Sequence, residues 1–231
     1  MKYILIGTTA TNRSLLHNET IPGWYEYINQ VDKTKYSVKW FINIDVIDKL
    51  EQKREITITN FKKIVKDIPI VYTNEKTKEK GNFLKACQSV SKNIEQHVIN
   101  NKLKEEDVII FWLEDDWKRN NSTIPLQELI EYYLSDLMHI NLSYIRANYI
   151  HALAPGIHSY KLWKQSHLLA WKHQQSHMDP EHCVGKYFIK TFGKLCNINN
   201  ITVYSKYKIN AASQAMKSDS TYVCFDQDDK K

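Results

Sequence analysis

The chain has 231 residues, 42% of them hydrophobic and 25% charged, with a formal net charge of +6. This length and composition are typical of one globular domain, and the scattered basic residues disfavour nucleic acid as the partner. No segment reaches the roughly 18 apolar residues of a membrane span, and the four cysteines form no Cys-x-x-Cys pair, so we expect reduced thiols in a cytoplasmic protein.

The first third of the chain predicts strands that alternate with helices. The predicted strands are residues 2–7, 36–44 and 69–72, and a short helix is predicted over 21–28. The polar run 8–14 is predicted to be a loop at the carboxyl end of the first strand, where a nucleotide-binding sheet holds base and ribose. Asp45, at the end of the second strand, either caps a helix over 46–52 or contacts a base or ribose.

A lysine-rich run leads into the next predicted helix, which begins at Gly81. The buried face of this helix is predicted from apolar residues at helical spacing, namely Leu84, Cys87, Val90, Ile94 and Val98. Lys80, Gly81 and Asn82 at its start would suit a diphosphate, because ammonium groups and free backbone N–H groups both favour anions. A solvated lysine-rich loop accounts for the same residues equally well.

Residues 108–112 are all apolar, as in a strand that is buried on both faces, and an acidic triplet follows them closely. Glu114, Asp115 and Asp116 repel one another unless a cation lies between them. Alternation along a strand sends Glu114 and Asp116 to one side and Asp115 to the other. Two carboxylates at the carboxyl end of a buried strand favour Mg²⁺ or Mn²⁺, whereas the alternative is a solvated acidic turn.

The second half predicts a helix over 126–137, a strand over 140–150 and a turn at 154–157. Further on, Pro180 is predicted at the first turn of a helix, with Asp179 and Glu181 beside it. Carboxylates are favourable at that position for structural reasons alone. The sequence therefore leaves two interpretations of Glu181, a first-turn residue or a catalytic carboxylate.

The run Phe-Trp-Leu-Glu-Asp-Asp-Trp, residues 111–117, resembles the DxD motif of GT-A-fold glycosyltransferases in its Glu-Asp-Asp form, with the trailing Trp of small bacterial and viral members. The resemblance implies an α/β fold, in which a GT-A-like (Rossmann-like, nucleotide-binding) mixed sheet is flanked by helices in a single domain. It also implies that residues 1–118 bind the nucleotide sugar and that residues 119–231 bind the acceptor.

The same resemblance implies roles for individual residues. Asp116 would coordinate Mn²⁺ or Mg²⁺, together with Glu114 and a downstream histidine, His158 or His177. Glu181, or Asp179 beside it, would be the general base. The implied nucleotide-sugar contacts are Thr8, Thr9, Arg13, Asp45, Lys80, Gly81, Asn82, Glu114 and Asp115.

The function implied is transfer of a sugar from a UDP- or GDP-sugar to a glycan or other hydroxyl acceptor, with a metal ion as cofactor. Whether the reaction inverts or retains the anomeric centre is open, because only direct displacement needs a base at the acceptor. Two alternatives use the same residues: a magnesium-dependent nucleotidyltransferase or nuclease, and a non-catalytic module that binds a sugar or nucleotide. The sequence has neither a P-loop nor a Gly-x-Gly-x-x-Gly fingerprint.

Overall fold

The protein is described here by a computed structural model. It describes residues 1–14, 16–46, 53–73, 82–115, 117–119, 125–134, 139–141, 155–174, 179–181, 183–184 and 213–215. In this part of the chain, helices cover both faces of a six-stranded mixed sheet. The fold class expected from the sequence, a mixed α/β sheet flanked by helices in one domain, is confirmed.

Eight strands and six α-helices are defined among the described residues. The strands are β1 Lys2–Thr11, β2 Tyr36–Asp45, β3 Ile70–Tyr72, β4 Val108–Glu114, β5 Trp117–Arg119, β6 His139–Asn141, β7 Gly156–Ser159 and β8 Ser213–Ala215. The helices are α1 Ile21–Asn29, α2 Arg54–Ile64, α3 Phe83–Asn100, α4 Leu126–Glu128, α5 Tyr160–Trp163 and α6 Leu169–Lys172. None of the described helices is both long enough and apolar enough to cross a bilayer.

The spatial order of the strands in the sheet is β3-β2-β1-β4-β7-β6, so β1 and β4 lie at its centre. β1 is parallel to both of its neighbours, β2 and β4, and β3 is parallel to β2. β7 runs antiparallel to β4, and β6 antiparallel to β7. The strands β1, β2, β3 and β4 therefore all end at the same edge, whereas β7 begins there. β5 and β8 form a separate antiparallel ribbon.

Both faces of β4 are covered, as its uninterrupted apolar sequence predicts. Ile109, Phe111 and Leu113 lie in the core on the side of α1 and α2, and Val108, Ile110 and Trp112 lie in the core on the side of α3. Each of these six side chains is at most 4% exposed. Burial of a large apolar side chain contributes roughly 1.5–3 kcal/mol, so this strand is a major source of stability.

Two local predictions differ from the structure. β1 continues through Thr11, so much of the predicted loop 8–14 is strand, because it pairs along its whole length with β2. The predicted turn at 154–157 gives way to β7, which starts at Gly156 and pairs with β4. The helix predicted at 46–52 and most of the strand predicted at 140–150 lie outside the described residues.

Gly7 of β1 faces Trp112 of β4 at the centre of the sheet, and the two residues are direct neighbours in the register. A Cβ atom on Gly7 would lie 2.7 Å from two carbon atoms of the indole ring, Cε3 and Cζ3. Real Cβ atoms almost never come so close to another heavy atom. The glycine is therefore required by the space that the tryptophan fills.

We expect Gly7→Ala to lower the free energy of unfolding by about 1–3 kcal/mol, the usual cost of overfilling a packed core. The midpoint of chemical denaturation would measure this loss. Gly23→Ala is the matched control, because its added methyl group would lie 3.3 Å from Cβ of Arg119 and alanine favours the helix. Equal losses in the two variants would contradict the assignment to Trp112.

Candidate functional site

The apolar residues of β1, β2 and β4 are followed by polar residues at the carboxyl ends of these strands. In the register of the sheet, Thr9 of β1 lies between Asn43 of β2 and Glu114 of β4, and Thr11 lies beside Asp45. Thr9 and Asn43 are buried, and Glu114 is half-buried. Ligands of open α/β sheets bind outside the carboxyl ends of the strands. This edge is therefore the candidate site.

Asp115, directly after β4, is held by the end of β1 and the turn that follows it. One carboxylate oxygen accepts hydrogen bonds from the backbone N–H of Thr11, at 2.8 Å, and from its hydroxyl, at 2.9 Å. The other oxygen accepts from the guanidinium of Arg13 at 3.0 Å, within a buried ion pair. The resemblance assigns both Asp115 and Arg13 to the nucleotide, which stays a prediction; in the structure the two residues form an ion pair with each other.

The backbone on both sides of Asp116 is also anchored. The hydroxyl of Thr20 donates a hydrogen bond to the carbonyl oxygen of Asp115. The indole N–H of Trp24 donates to the carbonyl oxygen of Trp117 at 2.8 Å. Thr20 and Trp24 are fully buried and lie at the start of α1 and within it. The α1 segment therefore holds the two residues that flank Asp116.

Asp45 connects the end of β2 to the start of α3. Its carboxylate accepts a hydrogen bond from the side-chain amide of Asn43 at 2.6 Å, and the backbone N–H of Asn82 also hydrogen-bonds to it. Burial raises the pKa of Asp45, whereas these two hydrogen bonds and the charge of Arg54 lower it. The side chain of Asn82 caps the helix by accepting from the N–H of Lys85 at 2.9 Å. A carboxylate thus already lies at the positive end of α3.

The buried thiol of Cys87, near the start of α3, has a pKa raised well above its ordinary value. Burial is the largest cause, and the negative charges of Glu114, Asp45 and Asp179 add to it. Three carboxylates from distant parts of the sequence therefore act on one buried atom. The ends of β2 and β4 and the segment before Pro180 accordingly lie around the same region, beside the first turns of α3.

The segment with Asp179 and Glu181 is fixed over β4 by a tryptophan that sequence reasoning missed. The indole N–H of Trp171 donates a hydrogen bond to the carbonyl oxygen of Pro180 at 3.0 Å. The ring of Trp171 lies 4.9 Å from that of Trp112, between centroids. Glu181 itself is exposed on the helical turn that Pro180 begins.

The two threonines near the end of β1 face opposite sides of the sheet. The hydroxyl of Thr8 accepts a hydrogen bond from the indole N–H of Trp40 at 2.9 Å, within the core. The hydroxyl of Thr9 is buried on the other side and has no hydrogen-bond partner among the described residues. Of the two, Thr9 is the one that lies in the polar row with Asn43 and Glu114.

The structure does not bring His158 to the acidic end of β4. His158 lies on β7 opposite Ile110, four residues before Glu114, which corresponds to about 13 Å along a strand. Its side chain is fully buried, and its ring lies 4.7 Å from that of His167, between centroids. His158 is therefore part of the interior beside α5 and α6.

Four of the predicted site residues lie outside the described part of the chain, and their roles stay predictions: Lys80, Gly81, Asp116 and His177. Among the described residues, no group of three His, Cys, Asp or Glu side chains is arranged to hold a metal ion. A divalent cation bound here would need ligands from elsewhere. Mg²⁺ commonly takes one or two carboxylates from the protein and completes its shell with substrate phosphates and water.

No family model matches the sequence, and no curated protein matches it. Among solved structures, it is similar to residues 1–349 of Staphylococcus aureus TarS, with 12% identity over 71% of this chain and 48% of that one and a TM-score of 0.44. That protein has also been solved with UDP-GlcNAc and with UDP. The chain spans about half the length of this TarS chain.

Two further similar structures differ from each other in activity. A glycosyltransferase involved in glycosylation of the major capsid of PBCV-1 matches with 12% identity, a TM-score of 0.36, and coverage of 82% of this chain and 75% of that one. 4-Diphosphocytidyl-2C-methyl-D-erythritol synthase matches with 12% identity, a TM-score of 0.39, and coverage of 80% and 84%. Since the TM-scores are below 0.5, the case for a function rests on the site itself.

We expect Asp115→Ala to lower the free energy of unfolding by about 3–5 kcal/mol, because it leaves the guanidinium of Arg13 buried without its carboxylate. Chemical denaturation followed by tryptophan fluorescence would measure the loss. Glu105→Ala is the control, since it breaks an exposed ion pair with Lys164 and should cost less than about 1 kcal/mol. A loss as small as the control's would show that the buried pair does not stabilise the fold.

Proposed function

We propose that the protein is a glycosyltransferase that transfers a sugar from a nucleoside-diphosphate sugar to a hydroxyl acceptor, with a divalent cation as cofactor. One observation carries the proposal: an acidic turn follows the central strand β4 at the edge where Asp45 and the start of α3 also lie. Asp179 acts on the same region from the second half of the chain. Carboxylates from both halves of the chain thus contribute negative charge near this edge of the sheet.

Carboxylate oxygens, the ligand type that a hard cation prefers, follow the end of β4 in the sequence. Glu114 is half-buried, and its Oε2 accepts a long hydrogen bond, 3.4 Å, from the indole N–H of Trp117. Asp115 is engaged by Arg13, and the resemblance to the DxD motif assigns the cation to Glu114 and Asp116. Two carboxylates plus diphosphate oxygens suit Mg²⁺ or Mn²⁺. When bound, the ion would neutralise charge that develops on the diphosphate leaving group.

The nucleoside would lie against the ends of β1 and β2. Thr9 has a hydroxyl and pairs with Glu114 in the register of the sheet. Asp45 has a carboxylate and pairs with Thr11, which hydrogen-bonds to Asp115. Such groups bind the hydroxyls of a ribose or the N–H of a base. Glu181, exposed at the start of a helical turn, would accept the proton of the acceptor hydroxyl if the reaction is a direct displacement.

The first experiment is a thermal-shift screen of UDP-, GDP-, CMP- and dTDP-sugars with and without Mn²⁺. A shift for one nucleotide that requires the metal would support the donor site and identify its base. UDP-GlcNAc, the ligand of the TarS complex, is included. Turnover of a nucleoside triphosphate or DNA in place of a sugar nucleotide would instead favour the phosphate-enzyme alternative. Binding without metal and without turnover would favour a binding module.

Asp116→Asn should abolish the metal-dependent shift for the donor, because the amide keeps the size of the side chain and loses its charge. The melting temperature without ligand should change little, since removal of one of three adjacent carboxylates relieves repulsion. Isothermal titration with Mn²⁺ and donor would measure the effect. Glu105→Gln is the control at an exposed site. A normal metal-dependent affinity in Asp116→Asn would remove the metal role of this residue.

Glu181→Gln should reduce transfer by about 10²- to 10⁴-fold while the donor still binds, if Glu181 is the general base. Initial rates at saturating donor, together with the thermal shift, would separate the two effects. Asp179→Asn is the matched comparison, because it removes the neighbouring carboxylate. Undiminished transfer in Glu181→Gln would assign this residue a structural role at the helix start.

A further inference from the structure

We infer that Phe83, the first residue of α3, is the side chain on which the aromatic base of the nucleotide donor stacks. The inference rests on the proposed function and deepens it, because it assigns the base to one exposed ring at the start of this helix. Its basis is the position of Phe83 on the helix, its exposure and the polar groups nearby.

Phe83 belongs to the face of α3 that packs on the sheet. It precedes Cys87 by four residues, and residues at that spacing lie on the same face of a helix. Further along this face, Cys87, Val90 and Ile94 are 0% exposed, whereas Phe83 is 42% exposed. A large apolar residue on the buried face of an amphipathic helix is normally covered. The exposure of Phe83 therefore follows from where the helix begins.

The contacts of α3 place its start level with the carboxyl ends of β1 and β2. A Cβ atom on Gly7 would lie 3.2 Å from Cγ1 of Val90, so these two residues lie at the same height. From there, eight residues of helix advance about 12 Å and four residues of strand about 13 Å. The backbone N–H of Asn82 accordingly hydrogen-bonds to the carboxylate of Asp45, the last residue of β2. Phe83 follows Asn82 at this edge of the sheet.

The charge beside Phe83 favours an uncharged part of the donor. Because the carboxylate of Asp45 lies at the positive end of α3, it would repel a diphosphate bound at the same helix start. A nucleobase is planar and neutral, and a carboxylate accepts hydrogen bonds from N–H groups such as those of a base. The start of α3 therefore fits the base of a nucleotide better than its phosphates.

A buried hydroxyl on the same side of the sheet also points to a ligand. Thr9 follows Gly7 by two residues along β1, so its side chain faces α3 as Gly7 does. Thr9 is 3% exposed, and its hydroxyl has no hydrogen-bond partner among the described residues. Buried hydroxyl groups are normally hydrogen-bonded, and a ligand between α3 and the end of β1 would supply the partner.

Isothermal titration of the full chain with UDP, GDP, CDP and dTDP, with Mn²⁺ present throughout, tests the inference. These ligands carry no donor sugar, so a loss of affinity cannot come from contacts with the sugar or the acceptor. Phe83→Ala should weaken binding of the preferred nucleotide by about 5- to 150-fold, the usual effect of one base stacked on an aromatic ring. Phe83→Tyr keeps the ring and should bind nearly as tightly as the unchanged protein. Phe83→Leu stays apolar without a ring and should lose nearly as much as Phe83→Ala.

Two further variants serve as comparisons. Ile99→Ala is the matched control, because Ile99 is also a large exposed apolar residue of α3, 63% exposed and about 24 Å from Phe83 along the helix. This variant should bind the nucleotide as the unchanged protein does. Thr9→Val removes the unpartnered hydroxyl and should weaken binding about 2- to 10-fold. It should not lower the melting temperature, because no hydrogen bond within the protein is lost.

The outcomes distinguish this inference from the proposed function. Unchanged nucleotide affinity in Phe83→Ala, or full affinity in Phe83→Leu, would overturn the inference while the proposed function stands. A raised KM for the acceptor with unchanged nucleotide affinity would do the same and assign the ring to the acceptor. If the unchanged protein binds no nucleoside diphosphate and turns over no sugar nucleotide, the proposed function is overturned and the inference with it.

Discussion

Three carboxylates in a row follow a strand that has no solvent-exposed face, and the neighbourhood of this turn depends on how their repulsion is relieved. The strand β4 is covered on both sides, so its polar chemistry is confined to its end. There Arg13 and Thr11 engage Asp115, and the α1 segment holds the backbone. The end of β1 thus serves the acidic turn as well as the sheet, which ties the first residues of the chain to the candidate site.

The elements that the sequence predicted well are those whose pattern is local. An apolar run identified β4, and apolar residues at helical spacing identified the buried face of α3. Errors arose where pairing between distant residues decides the outcome. Residues 8–11 are strand because all four pair with β2 and because Thr8 and Thr9 also pair with β4. Gly156 begins a strand for the same reason, since β4 needs a neighbour on its open edge.

The candidate site was predictable as a place but not as a set of contacts. The position of the acids after a buried strand located the edge of the sheet, and alternation separated Asp115 from its neighbours. The sequence does not record that Arg13 lies against Asp115, since 102 residues separate them. The sequence also gives no sign that Trp171 binds the carbonyl oxygen of Pro180 and packs on Trp112 of β4, which places the segment of Glu181 next to this strand. Of the two histidines expected near the cation, His158 lies within the interior beside His167. His177 lies outside the described residues.

The buried thiol of Cys87 can be used to follow local opening of the structure near the candidate site. The thiolate is the form that reacts with alkylating reagents, and burial together with three nearby carboxylates disfavours it strongly. Alkylation of this buried thiol therefore requires local opening of the packing around the start of α3. The rate of its alkylation thus measures how often that opening occurs, in the way that amide hydrogen exchange measures local unfolding.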